Sequence, residues 1–238
     1  MSEPVLRVED LRVNYDDFIA VETASLSIEE GKIVSVVGLN GAGKSTLMNT
    51  IAGLNKPKSG KVFFMGKDIT GLPAEKIAAC GLSLVPQGGS IFNSMSVQDN
   101  LLMGAYPRNA RPHAKDALHH VYDLFPVLEE KKKSPAGTLS GGQRQMVAIG
   151  RALMTKPACL IFDEISLGLA PAVIKDIYRR IIEINATHHT SILLIEQDTQ
   201  RALKASESFY VMFKGRVVMS GKSSEADPEE LKRAYFGM

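Results

Sequence analysis

The sequence has little cysteine and no excess of charge of either sign. Among its 238 residues the only thiols are Cys80 and Cys159. They stand far apart in apolar-leaning segments, which argues for two reduced, buried thiols and against a disulfide framework. Basic residues number 28 and acidic residues 26, for a formal net charge of +2. That balance leaves no chain-wide electrostatic footprint for nucleic acid. Long apolar runs are missing as well. Segments such as Ile33 to Val37 and Cys159 to Phe162 are far short of the about 20 residues that a spanning helix needs. The first ten residues place Glu3, Glu9 and Asp10 where a signal peptide needs a basic and then an apolar stretch. A membrane role therefore has to come through a partner. Neither a repeat of fixed period nor a low-complexity tract is visible. What is present is ordinary globular composition, 45% hydrophobic and 23% charged, which excludes a disordered chain. The length suits one domain, or one core with a small second lobe.

Hydrophobic patterning divides the chain. Val5, Leu6, Val8, Leu11 and Val13 alternate with charges, as in short, half-exposed, antiparallel strands. Ile33-Val34-Ser35-Val36-Val37 is nearly continuous and β-branched, the pattern of a strand buried on both faces. A glycine-rich turn follows it, then a helix over 44–52 stopped by Gly53. A hairpin is expected at 61–68 around Met65-Gly66. From about 93 to 155 the period becomes helical, with Ala114, Ala117, Leu118, Val121, Leu124 and Phe125 on one face. Buried strands return at 159–162 and 192–195. Between them lies a helix that carries Ile174, Ile177, Tyr178, Ile181 and Ile182. A last hairpin turns at Lys214-Gly215. Strands alternating with helices imply a parallel sheet covered by helices, and the block at 93–155 reads as an inserted helical lobe.

Three segments carry chemistry. Gly38-Leu39-Asn40-Gly41-Ala42-Gly43-Lys44-Ser45 fits G-x-x-x-x-G-K-[ST] between a buried strand and a helix. Glycines let successive N–H groups converge on phosphate oxygens, and the helix start adds its positive end. Lys44 supplies a mobile charge for the phosphates, and Ser45 a hydroxyl oxygen for Mg²⁺. Asp163-Glu164 closes an apolar strand, at the end of the sheet where open α/β folds bind ligands. There Asp163 suits the metal and Glu164 suits a general base for the attacking water. Leu139-Ser140-Gly141-Gly142-Gln143 opens another helix and offers a second anion site.

The order and spacing of these three segments resemble the nucleotide-binding subunit of ABC transporters over nearly the whole chain. The resemblance implies an α/β P-loop ATPase with a mostly parallel core sheet, an antiparallel N-terminal β fringe and an inserted helical subdomain. It implies one domain over 1–238, with its core at about 1–92 and 156–238 and its helical part at about 93–155. ATP and Mg²⁺ are the expected ligands. Gly38, Asn40, Gly41, Ala42, Gly43, Lys44, Ser45 and Thr46 would cradle ATP, with Tyr15 stacked on adenine. Ser45, Gln87 and Asp163 would hold the metal, and Glu164, Lys44 and Gln197 would act in hydrolysis. Ser140, Gly141, Gly142 and Gln143 would serve a nucleotide on the facing subunit of a head-to-tail pair.

A narrower likeness runs through Leu82 to Gly88, Asn100 to Tyr106, Ser166 to Pro171 and Ile195-Glu196-Gln197. These stretches are similar to the F-type ATPase of branched-chain amino acid importers, with urea-importer ATPases as close cousins. This implies a second ATPase, two permeases and a periplasmic binding protein as partners. It places the chain at the cytoplasmic face of the inner membrane. A soluble ABC ATPase acting on nucleic acid or ribosomes is the alternative from another class. A regulatory module with little hydrolysis is a third, and Asp163-Glu164 argues against it.

Two positions depart from the family pattern. Gln197 stands where most members carry histidine; its amide can donate to phosphate but cannot titrate. Ile165 replaces the usual proline and reads as a tolerated substitution. His119-His120 and His188-His189 read as surface pairs, Lys131 to Lys133 as a solvated connection, and the ten methionines as packing filler.

Overall fold

A computed structural model describes residues 3–237. The chain begins with a long antiparallel pair, β1 (Leu6–Tyr15) and β2 (Phe18–Ile28). These strands have 10 and 11 residues, longer than the short strands expected. Register shifts between Val8 and Asn14 explain the difference. Each irregularity absorbs a residue and resets the alternation, so a long strand keeps its apolar side inward.

Then come β3 (Ile33–Val37), α1 (Lys44–Ile51), and the expected hairpin of β4 (Ser59–Phe64) and β5 (Lys67–Asp68). α2 (Ala74–Ala79) leads into β6 (Leu82–Val85). The helices α3 (Val97–Met103), α4 (Ala114–Leu124), α5 (Pro126–Glu130) and α6 (Gly141–Leu153) follow in succession. β7 (Cys159–Asp163), α7 (Pro171–His188), β8 (Ser191–Glu196) and α8 (Thr199–Ala205) restore the alternation. The hairpin β9 (Ser208–Phe213) and β10 (Arg216–Lys222) precedes α9 (Pro228–Phe236).

The strands form a 10-stranded sheet in the order β5-β4-β1-β2-β10-β9-β3-β8-β7-β6. β9, β3, β8, β7 and β6 run parallel. The β1, β2, β4 and β5 fringe is antiparallel. A single parallel pair, Arg216 with Thr23, joins the fringe to the core through β10. Every residue of β3, β7 and β8 is buried, as their continuous apolar runs require. Alternate residues serve opposite faces. Ile33, Leu160, Phe162, Ile192 and Leu194 pack with α3–α7. Val34, Val36, Ile161, Leu193 and Ile195 pack with α1 and the β fringe. The helical block thus shares one continuous core with the sheet.

Two packing expectations are corrected. Ile182 is 46% exposed, and Ile184 takes the buried place. At about 100° per residue, Ile182 lies at the rim of the face centred on Ile177 and Ile181. Cys159 is buried as expected, and burial pushes its thiol up to about 12. Cys80 is exposed instead, because it ends the six-residue α2, of which only Ile77 is buried. No helix among the described residues is long and apolar enough to cross a membrane.

Candidate functional site

β3 lies between β8 and β9, so the chain leaves the sheet at its carboxyl edge. The turn that follows is walled in by β9 and β2. A Cβ on Gly38 would stand 2.3 Å from the Met212 carbonyl oxygen, and one on Gly43 2.5 Å from that of Ala20. Gly43 also has φ of +99°. Glycine is required at both positions. The Gly215 N–H donates to the Ala42 carbonyl at 2.9 Å, fastening the loop to the β9–β10 turn. Gly43 caps α1 without a side chain, which leaves the first-turn N–H groups for an anion.

Charged groups from distant elements meet beside this loop. Lys44 is only 4% exposed. Its Nζ donates to the Gly38 and Leu39 carbonyls at 2.9 and 3.1 Å and lies 3.2 Å from Glu164 Oε1. Gln87 Nε2 donates to Glu164 Oε2 at 3.3 Å. Ser45 Oγ donates to Asp163 Oδ1 at 3.2 Å. Glu164 has φ of +42°, rare for a residue with a side chain, and its N–H donates to the Ile195 carbonyl at 2.9 Å. Ile165 is buried in the core shared with the helices, so packing holds the turn where the usual proline is missing.

Burial pushes the Asp163 carboxyl above its ordinary 3.8, and the Glu164 carboxylate adds to the rise. The hydrogen bond from Ser45 and the charge of Lys44 pull it part of the way back. A raised folded-state value means the folded chain binds this proton more tightly than the unfolded one. The contribution to stability is full below 3.8 and is lost as pH rises through the folded value. Asp163→Asn is therefore expected to raise the Tm of the nucleotide-free chain at pH 7, by ~2 °C or more, while lowering ATP turnover. Thermal melts at pH 7 and pH 4 would show the gain shrinking at the lower pH; an equal gain at both would overturn the assignment.

Other expected site residues lie elsewhere. Gln197 is exposed at the end of β8 and lines a cavity of about 370 Å³ with Glu164, Ser166 and Glu196. Its carbonyl accepts from the Tyr235 hydroxyl at 3.0 Å. Ser140 caps α6 in a reciprocal box with Gln143: Gln143 N–H donates to Ser140 Oγ at 3.3 Å, and Ser140 N–H to Gln143 Oε1 at 3.1 Å. A Cβ on Gly142 would stand 2.4 Å from Val173 Cγ1, so this helix start fits tightly against α7. Among the described residues no hydrogen bond joins 139–143 to 38–45. Tyr15 sits at the β1–β2 turn, 46% exposed, with its hydroxyl accepting from Asn55 Nδ2 at 2.6 Å. Its cross-strand neighbour Phe18 is more exposed, at 70%.

The segment after Gln87 is tied to the helical block at two points. Arg151 Nη2 donates to the Ser90 carbonyl at 2.8 Å. Fully buried Asn100 accepts from the Phe92 N–H and donates to the Phe92 and Ser96 carbonyls at 2.8–2.9 Å.

Residues 21–166 match the family model described as ABC transporter. The chain belongs to the ABC transporter family. This ABC ATPase is 37% identical over 235 residues to the high-affinity branched-chain amino acid transport ATP-binding protein BraG of Pseudomonas aeruginosa, covering 98% of this chain and 100% of the relative. It is also 37% identical to the probable branched-chain amino acid transport ATP-binding protein LivF of Archaeoglobus fulgidus, covering 98% and 99%. The crystal structure of the ADP conformation of an ATP-binding cassette of an ABC transporter superposes over 100% of both chains, with a TM-score of 0.86 and 29% identity. The protein is thus a P-loop ABC ATPase that binds ATP and couples its hydrolysis to transport.

Proposed function

We propose that this subunit energises uptake of branched-chain amino acids across the cytoplasmic membrane, as one of two ATPases docked on two permeases at the inner face. A periplasmic binding protein delivers the solute through the permeases. Likeness to BraG and LivF over nearly the full chain supports the solute class. The observation that carries the chemistry is the meeting of Lys44, Glu164, Gln87, Ser45 and Asp163 at the carboxyl ends of β3 and β7.

The loop 38–46 cradles the triphosphate, with Lys44 against its outer phosphates and Tyr15 at the base. Ser45, Asp163 and Gln87 offer oxygen donors only, and two of them already touch, so the set fits Mg²⁺. Held by these three residues, the metal would supply positive charge to offset that of the phosphates. Glu164 takes the proton from the attacking water. Gln197 donates to a phosphate oxygen across the cavity it shares with Glu164. Ser140 to Gln143, at the capped start of α6, serve the nucleotide on the facing ATPase. ATP binds the closed pair better than the open pair, and that difference drives the helical lobes and the permeases.

Gln197→Ala is expected to lower kcat at least about tenfold, the scale of one hydrogen bond to a charged group. The wild-type pH–rate curve is expected to lack a limb near the histidine value of about 6.5 from this position. Undiminished turnover in the variant would remove Gln197 from the mechanism. The reading as a whole is tested by affinity purification from detergent-solubilised membranes of the native cells. Recovery of two permeases and a second ATPase supports it, with the binding protein then screened against leucine, isoleucine, valine and urea. Recovery with ribosomes or DNA from the soluble fraction overturns it.

A further inference from the structure

We propose that Glu196 is a positioning residue for ATP hydrolysis, holding the turn that carries Glu164 by way of Ser166. This rests on the reading of Glu164 as the base. Glu196 is only 1% exposed, so its carboxylate has left water and needs partners. It has two. Oε1 accepts from the Tyr178 hydroxyl at 2.6 Å, and Oε2 accepts from the Ser166 hydroxyl at 3.0 Å. Tyr178 comes from α7; Ser166 comes from the turn after β7, two residues past Glu164.

The neighbouring β8 residue holds the same turn from its other end, through the Glu164 N–H on the Ile195 carbonyl. The Leu167 N–H closes it on the Glu164 carbonyl at 3.1 Å. A left-handed residue such as Glu164 persists only where its surroundings over-determine it. Ile195 and Glu196 do so together, one by backbone and one by side chain. Burial raises the Glu196 carboxyl above its ordinary value, and the bonds from Tyr178 and Ser166, with the charge of Arg201 and the Gln197 N–H, pull it only part of the way back. Glu164, Ser166, Glu196 and Gln197 line one cavity, so a slack turn would displace the base relative to the phosphate site.

The two bonds to Glu196 separate positioning from mere packing. Ser166→Ala and Tyr178→Phe each remove one hydroxyl from the same carboxylate. Only Ser166 leads to Glu164. In the purified full-length chain with its co-purifying subunits, at saturating ATP and Mg²⁺, Ser166→Ala is expected to lower kcat roughly tenfold, because small displacements of a reacting group are costly. Its KM for ATP stays within about twofold of wild type, and Tyr178→Phe keeps kcat within about twofold. Glu196→Gln keeps kcat within about threefold, since its amide oxygen accepts from Tyr178 and its amide N–H donates to Ser166. Equal losses in Ser166→Ala and Tyr178→Phe that track their Tm values, or normal turnover in Ser166→Ala, overturn the inference. Glu164→Gln is run beside them. If it is inactive while Ser166→Ala is normal, only the inference falls. If Glu164→Gln turns over normally, the reading of Glu164 falls and takes the inference with it.

Discussion

Replacing Glu164 with glutamine is expected to lower ATP turnover by about 10²- to 10⁴-fold, the range for a positioned general base. The change is nearly isosteric, so the backbone bond to Ile195 and the left-handed turn stay in place. What is lost is the ability to accept a proton. Binding follows a different course, because Lys44 loses a carboxylate 3.2 Å away and its charge becomes freer to meet phosphate. The variant is expected to bind ATP at least as tightly as wild type. Phosphate release under saturating ATP, set beside a nucleotide titration, reads both quantities. Loss of binding together with turnover would show that Glu164 shapes the pocket instead of acting on water.

Lys44→Ala produces the second large effect, and it falls on binding. Lys44 Nζ holds two loop carbonyls as well as facing Glu164. Removing it deprives the phosphates of their nearest cation and leaves Asp163 and Glu164 unopposed beside the incoming charge. Truncating one partner of a buried, hydrogen-bonded charge pair costs about 2–5 kcal/mol, which is roughly 30- to 3000-fold in affinity. Lys44→Arg is expected to fail as well. A planar guanidinium does not fit where the ammonium is 4% exposed and bonded to two carbonyls. Equilibrium titration with a fluorescent ATP analogue gives the affinity, and a thermal melt shows that the variants remain folded. Affinity within a few-fold of wild type in Lys44→Ala would mean that the backbone amides alone hold the phosphates.

Local physics made several elements legible in the sequence. β3, β7 and β8 are buried on both faces, and such strands must be written as continuous apolar runs. The phosphate loop was readable because its geometry admits few residues: Gly38 and Gly43 face backbone oxygens that exclude a side chain. The hairpin turns at Met65-Gly66 and Lys214-Gly215 announced themselves by glycine, and all four residues have positive φ. Ser140 was recognisable as a helix start because a cap is a local bond between neighbours.

Tertiary structure alone decided the rest. That β10 joins the fringe to the core through one pair with β2 depends on partners some 190 residues apart, which no local pattern encodes. An apolar-leaning sequence did not tell that Cys80 is exposed, because burial depends on what lies opposite. The rings of His120 and His188, read as separate surface residues, meet edge-on with centroids 4.2 Å apart, since the fold brings α4 against the end of α7. In the sequence Glu196 stands out only as a neighbour of Gln197. It became a buried carboxylate only when α7 delivered Tyr178 and the turn after β7 delivered Ser166. The sequence by itself determined where the glycine-walled turn and the capped helix start form, because those demands are met by neighbours in the chain. Only the folded chain decided which carboxylate is solvated and which is held, because desolvation and pairing are set by groups that arrive from elsewhere.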